Sequence, residues 1–170
     1  MEWFRLAAEQ GHATAQNHLG ACLARGRGVT KDVPAAVVWY GKAARQDNAS
    51  AQYNLGAYLA AGLGVAKAPK EAASWYRKAA EKGLATAQVA LGACYSTGSG
   101  VEQNAQLAVE WYSKASDQGD PAAHYALGVC HLRGAGVPAS QAEAIRLFVK
   151  AARGGNAEAR AWLTKRGKKY

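Results

Sequence analysis

Residues 49–65 read ASAQYNLGAYLAAGLGV, and residues 85–101 read ATAQVALGACYSTGSGV. The two stretches are 36 positions apart, and their landmarks continue in both directions. Leu-Gly stands at 19–20, 55–56, 91–92 and 127–128, and Gly-x-Gly-Val at 26–29, 62–65, 98–101 and 134–137. Trp-Tyr stands at 39–40, 75–76 and 111–112, with Phe148 continuing the series and Trp3-Phe4 opening it. Three independent motifs that keep one period define a repeat architecture. The boundaries follow: a half repeat over 1–12, whole repeats over 13–48, 49–84, 85–120 and 121–156, a half repeat over 157–163 and a basic tail over 164–170.

Each repeat reads as two helices joined by a turn. In the first, Ala15, Leu19 and Leu23 recur four apart and share one face. Gly26 ends it, because glycine takes the left-handed conformation without steric cost. The second helix starts near Asp32, whose equivalents are Ala68, Asn104 and Ser140; three of these four residues are good N-caps. Pro69 suits the first turn where the cap is absent, and Ser140-Gln141-Ala142-Glu143 has the pattern of a capping box. Ala36, Tyr40, Ala43 and Ala44 form the buried side of this helix. Gly20, Gly56, Gly92 and Gly128 sit inside a helix, where glycine costs about 0.5–1 kcal/mol against alanine. A recurring cost implies a recurring benefit, namely close approach of the paired helix with the Trp-Tyr rings beside it. One hairpin cannot bury both of its faces, so neighbours must stack. The expected fold is an all-α, right-handed α-solenoid of 36-residue helix-turn-helix repeats.

Composition agrees. The 170-residue chain is 49% hydrophobic, enough for a packed core, without an apolar run long enough to span a membrane. Met1-Glu2-Trp3-Phe4-Arg5 lacks the features of a signal peptide; the sequence leaves the compartment open between the cytoplasm and, where a leader has been removed, the periplasm. Of the net charge of +9, five units come from Arg160, Lys165, Arg166, Lys168 and Lys169 in the last eleven residues, which contain no acid. Such a tail favours an acidic partner. Cys22, Cys94 and Cys130 form neither a disulfide framework nor a zinc spacing.

The repeat resembles the Sel1-like repeat family, which is similar to tetratricopeptide proteins. The resemblance rests on Ala49-Ser50-Ala51-Gln52, Leu55-Gly56, Gly62-Leu63-Gly64-Val65, Ala72, Trp75-Tyr76 and Lys78-Ala79-Ala80, and it covers nearly the whole chain. Departures are modest: Leu23, Leu59 and His131 stand where Tyr95 keeps the family tyrosine, and Leu147 replaces a tryptophan. The resemblance implies an all-helical adaptor. Some bacterial relatives resemble immunity proteins that block secreted toxins. A cysteine-rich branch linked to β-lactam binding pairs cysteines within each repeat, which this chain cannot do.

Analogy with tetratricopeptide arrays implies a concave groove on the first helices, with Asn17, Arg25, Tyr53, Val89, Tyr125, Leu132 and Arg133 facing a partner. The remaining floor is small, Ala24 among it. Tyrosine and arginine are favoured interface anchors; packing of adjacent repeats is the competing role for the two tyrosines. Trp3, Phe4 and Leu6 lack a repeat partner and are expected to make a homotypic or missing-repeat contact.

Nothing requires a catalytic site, cofactor or metal. His124 and His131 lie seven apart beside Cys130, but His124 replaces the repeat Gln16, Gln52 and Gln88, and His131 replaces a core tyrosine. Gly-x-Gly-Val lacks the Lys-Ser/Thr of a phosphate loop. Lys42, Lys78, Lys114 and Lys150 form a ladder whose stems are expected to lie over neighbouring rings. The function expected first is therefore a non-catalytic scaffold for a protein or peptide. An immunity-type protein that neutralises a secreted toxin, and binding of anionic surfaces or nucleic acid through basic residues, are the alternatives, nucleic acid being the less favoured partner.

Overall fold

The computed structural model describes residues 2–169, with side chains from Phe4 onward. Among these are ten helices and no strand: α1 (Glu2–Glu9), α2 (Ala13–Arg25), α3 (Val33–Arg45), α4 (Ala49–Ala61), α5 (Pro69–Glu81), α6 (Ala85–Thr97), α7 (Ala105–Asp117), α8 (Pro121–Arg133), α9 (Gln141–Arg153) and α10 (Ala157–Thr164). The fold class is the expected one, all-α and built of 36-residue helix-turn-helix repeats. The helices fall into two compact units that meet in sequence at a repeat boundary, one ending at Leu84 and the other starting at Ala85.

In the first unit, α2 pairs with α3 and α4 with α5, and α3 lies against α4. In the second, α6 pairs with α7 and α8 with α9, and α9 lies against α10. The internal glycines explain the pairing. A methyl group placed on Gly20 or Gly56 would lie 2.9 Å from the ring of Tyr40 or Tyr76. At Gly92 and Gly128 it would lie 2.6 Å from the rings of Tyr112 and Phe148. All four rings are buried, at 0–7% exposure. Only a hydrogen at these positions lets the rings reach the backbone of the first helix.

The turns follow from local chemistry. Gly26, Gly62 and Gly134 take left-handed φ values of 69°, 71° and 68°, and each N–H donates back into its helix, to the carbonyls of Cys22, Tyr58 and Cys130. The turn glycine Gly64 lies against Val33 and Pro34, so the turn of one repeat rests on the start of the second helix before it. Gly136 repeats this against Ala105. Asp32, Asn104 and Ser140 cap their helices as expected, and Ala68 does not, Pro69 following it. The capping box is only half formed. Ser140 Oγ accepts from the Glu143 N–H at 3.3 Å, but the Glu143 carboxylate turns to Arg146, and the Ser140 N–H donates to the His131 carbonyl at 2.8 Å. That N–H already has a partner from the preceding helix, so Glu143 gains more from the guanidinium.

Consecutive hairpins are also tied by a polar clamp. Gln16 Nε2 donates to the Ala8 carbonyl at 3.1 Å, and Gln52 Nε2 to the Ala44 carbonyl at 3.2 Å. In each case the amide of a first helix adds a second hydrogen bond to a carbonyl at the end of the second helix before it, which also accepts from the backbone of the turn that follows. Arg160 fills the same role in the second unit, its Nε donating to the Ala152 carbonyl at 2.9 Å. Arg160 is therefore part of the repeat scaffold and not a free charge of the tail.

The ring-on-glycine contact makes a direct prediction. Gly92→Leu forces branched carbons into the plane of a buried tyrosine and should destabilise by on the order of 1–3 kcal/mol. Thermal melting followed by circular dichroism reads this; an unchanged Tm would mean that the Tyr112 ring swings aside freely.

Candidate functional site

The residues expected to face a partner occupy the first helices of both units. In the first unit, Arg25 is exposed as the last residue of α2. Asn17 is half-buried, and its Oδ1 accepts from Asn54 Nδ2 at 2.9 Å. Asn54 was not among the expected residues, because it lies one position beyond the one aligned with the groove; its bond to Asn17 brings the two together across α2 and α4. Tyr53 is half-buried, its ring 5.8 Å from that of Tyr76 and tilted by 40°. In the second unit, Leu132 and Arg133 are exposed at the end of α8. Val89 packs on the cluster of Ala108, Tyr112 and Leu127. The Tyr125 ring lies 5.4 Å from Phe148. Both tyrosines thus brace the aromatic residue of their own hairpin while leaving an edge accessible. Ala24, expected in the floor, is buried instead.

The period, the capping pattern and the ring-on-glycine hairpins together identify the repeat, and comparison with known proteins agrees. The Sel1 repeat model matches residues 1–12, 13–48, 49–84, 85–120 and 121–156. The chain belongs to the Sel1 repeat family. Sel1 repeats are generally protein-interaction modules. A protective antigen of uropathogenic Escherichia coli strains shares 39% identity at a TM-score of 0.90, over 97% of this chain and 35% of its own. A Sel1 repeat protein from Oxalobacter formigenes shares 37% identity at a TM-score of 0.89, over 93% of this chain and 63% of its own. An immunity protein from Pseudomonas aeruginosa shares 26% identity at a TM-score of 0.59, over 93% of this chain and 58% of its own. The chain thus spans about a third to somewhat under two thirds of these relatives. No curated protein matches the sequence.

Packing accounts for the lysines and cysteines of these Sel1 repeats. Lys42, Lys78 and Lys114 of their Trp-Tyr-x-Lys segments place their ammonium groups 4.0, 4.4 and 4.2 Å from the ring centres of Trp39, Trp75 and Trp111. Three of the four ladder lysines are thus cation–π pairs within their own helix, with the charged head over the ring where only the stem was expected; Lys150 has Leu147 in place of the tryptophan. Cys94 and Cys130 are buried, and burial pushes both thiols up, away from a reactive thiolate. No group of three or more His, Cys, Asp or Glu side chains able to hold a metal ion occurs among the described residues. Nor is any helix among them long and apolar enough to cross a membrane. Trp162 stacks 4.6 Å from Phe148 and is covered by the Arg166 guanidinium at 4.0 Å, so it closes that end of the second unit.

His124 replaces the clamp glutamine, and Ser116 lies 2.7 Å from its Nδ1. Burial, with Lys150 next in effect, holds its pKa below the usual value, against the opposing pull of Asp120. The folded state therefore favours neutral His124, and the unfolded state binds a proton more readily. The stabilisation is present above the unfolded pKa of about 6.5 and is lost as pH falls through that value toward the lower folded one. Unfolding titrations from pH 7.5 to 5.5 should show this loss, and His124→Gln, which restores the Sel1 residue, should flatten it. An identical slope in both proteins would assign the pH dependence to another group.

Proposed function

We propose that the chain is a non-catalytic scaffold that binds a protein segment on the faces of its first helices. One observation carries the proposal. At the core position of those helices every repeat has leucine, Leu19, Leu55, Leu91 and Leu127, all buried at 0–7%. Two residues earlier the same helices carry Asn17, Tyr53, Val89 and Tyr125, which are only half-buried. Packing demands one residue type at the first position and tolerates three at the second, so the second is free to encode a partner.

Each unit supplies its own set of anchors. The first offers Arg25 and the accessible edge of Tyr53, with the Asn17–Asn54 pair between the two helices. The second offers Tyr125, Leu132 and Arg133 beside Val89. Half-buried tyrosines braced by a second ring suit recognition, since little side-chain entropy is lost when they are covered. Blocking of a toxin, as an immunity protein, is the second reading, favoured by the likeness to the immunity protein of Pseudomonas aeruginosa. It uses the same surface and differs in the identity of the partner.

Pull-down with the intact chain followed by mass spectrometry supplies the partner, and two variants then test the surface. Arg25→Gln with Arg133→Gln removes two exposed charges; it should weaken binding about tenfold, or 1.4 kcal/mol, with only a small drop in Tm from the lost cations at the helix C-termini. Tyr53→Ala with Tyr125→Ala should cost about 2 kcal/mol of affinity or more if both are hot spots. It should also lower the Tm, because both rings brace a neighbour. Affinity that survives both pairs, yet collapses with salt and on replacing Lys165, Lys168 and Lys169, would transfer the function to the basic tail.

A further inference from the structure

The first helices of the four whole repeats, α2, α4, α6 and α8, contain no aspartate or glutamate. The second helices paired with them carry five, Glu71, Glu81, Glu110, Asp117 and Glu143. Apart from histidines, the charge-bearing residues of the first helices are Arg25 and Arg133, each the last of its helix. A cation suits a helix C-terminus. Yet Ala61 and Thr97 end α4 and α6, so stacking does not demand an arginine there.

In the first unit Arg25 closes a polar seam between α2 and α4. Asn17, Ala21 and Arg25 recur four apart on one face of α2, as Asn54 and Tyr58 do on α4. Asn54 Nδ2 donates to Asn17 Oδ1 at 2.9 Å. One turn further along α4, the Tyr58 ring lies 5.4 Å from that of Tyr40, and the two hydroxyls meet. Burial, with Tyr58 next in effect, pushes the Tyr40 hydroxyl up to about 12, against the opposing pull of Arg25. When one hydroxyl donates to another, one O–H is left to serve a further acceptor. Tyr40 is 3% exposed and Tyr58 half-buried, so the remaining O–H is that of Tyr58. The equivalents of Tyr58 are Cys22, Cys94 and Cys130, so a tyrosine beside an arginine is built once and not by the repeat. The next acid along the chain, Asp32, accepts from the Ala35 N–H at 2.9 Å. Among the described residues Arg25 has no ion pair.

We propose that Arg25 and Tyr58 take the carboxylate of an aspartate or glutamate in an acidic segment of the partner. The guanidinium fork matches a carboxylate in two hydrogen bonds, and the Tyr58 O–H supplies a third donor. No carboxylate on α2 or α4 repels such a segment. A nucleic acid fits less well, since it needs several cations tracking its backbone, and α2 and α4 supply one. The inference rests on the first-helix reading of the function and gives that partner its chemistry. It shares no residue with the exposed Phe4 and Leu6 of the apolar end, whose third member, Trp3, has its side chain outside the described residues.

The test selects a random peptide library, displayed on phage, on the intact chain. Binders should carry aspartate or glutamate, and replacing that residue by its amide should weaken them about tenfold. Arg25→Gln should abolish the difference between the acid and amide forms. Tyr58→Phe keeps the ring against Tyr40; it should leave the Tm in place and weaken the acid form alone. A selection that returns no peptide sensitive to Arg25→Gln overturns the proposal. If the peptides still lose affinity with Tyr53→Ala, the first-helix scaffold stands and only its acidic chemistry falls. If they ignore both changes, the first-helix reading of this unit falls too. A short oligothymidylate that binds more tightly than every peptide, with the same dependence on Arg25, overturns the proposal in favour of a nucleic acid.

Discussion

An aromatic ring seated on a glycine holds each hairpin of this protein together. The glycine weakens its own helix by up to about 1 kcal/mol, yet it brings the two helix backbones within one ring thickness of each other. The ring of Tyr40, Tyr76, Tyr112 or Phe148 then loses nearly all its contact with water. Each such ring contributes buried apolar area that alanine-rich helices otherwise lack. A step of 36 residues follows, because every hairpin must bring the same pair to the same place.

Once that contact is set, the rest of each repeat divides by role. The glutamine clamp joins one hairpin to the next through a carbonyl in the last helical turn, and its position also takes other side chains that reach a neighbouring hydrogen-bonding group. Glutamine, arginine and histidine all appear there, histidine by adopting the Ser116 hydroxyl in place of a carbonyl. The Trp–Lys pairs cover the outer side of the second helices with groups compatible with water. The half-buried positions of the first helices held by Asn17, Tyr53, Val89 and Tyr125 are not fixed by that contact and differ between repeats.

Two features read as conventional motifs behave differently once packed. The Ser140–Glu143 pair forms one half of its box, because the N–H that glutamate would have served already meets a carbonyl from α8. Tyr53 and Tyr125 are neither bare binding residues nor plain core. Each leans on the ring of its own hairpin, so both positions contribute to the packing of the hairpin while keeping part of the ring at the surface.

The helices, their ends, the turn glycines and the leucine core were all legible in the sequence, because each depends on spacing within one chain segment and recurs four times. Even the purpose of the internal glycines could be argued from their recurrence. Tertiary structure alone decided the contacts that appear once. The Asn17–Asn54 bond is one of them, since the equivalent positions in the other repeats carry no such pair of amides. A repeat pattern reports what every unit must do to stack. It is silent on what a single side chain meets across the gap between helices, since that depends on distances that no spacing rule encodes.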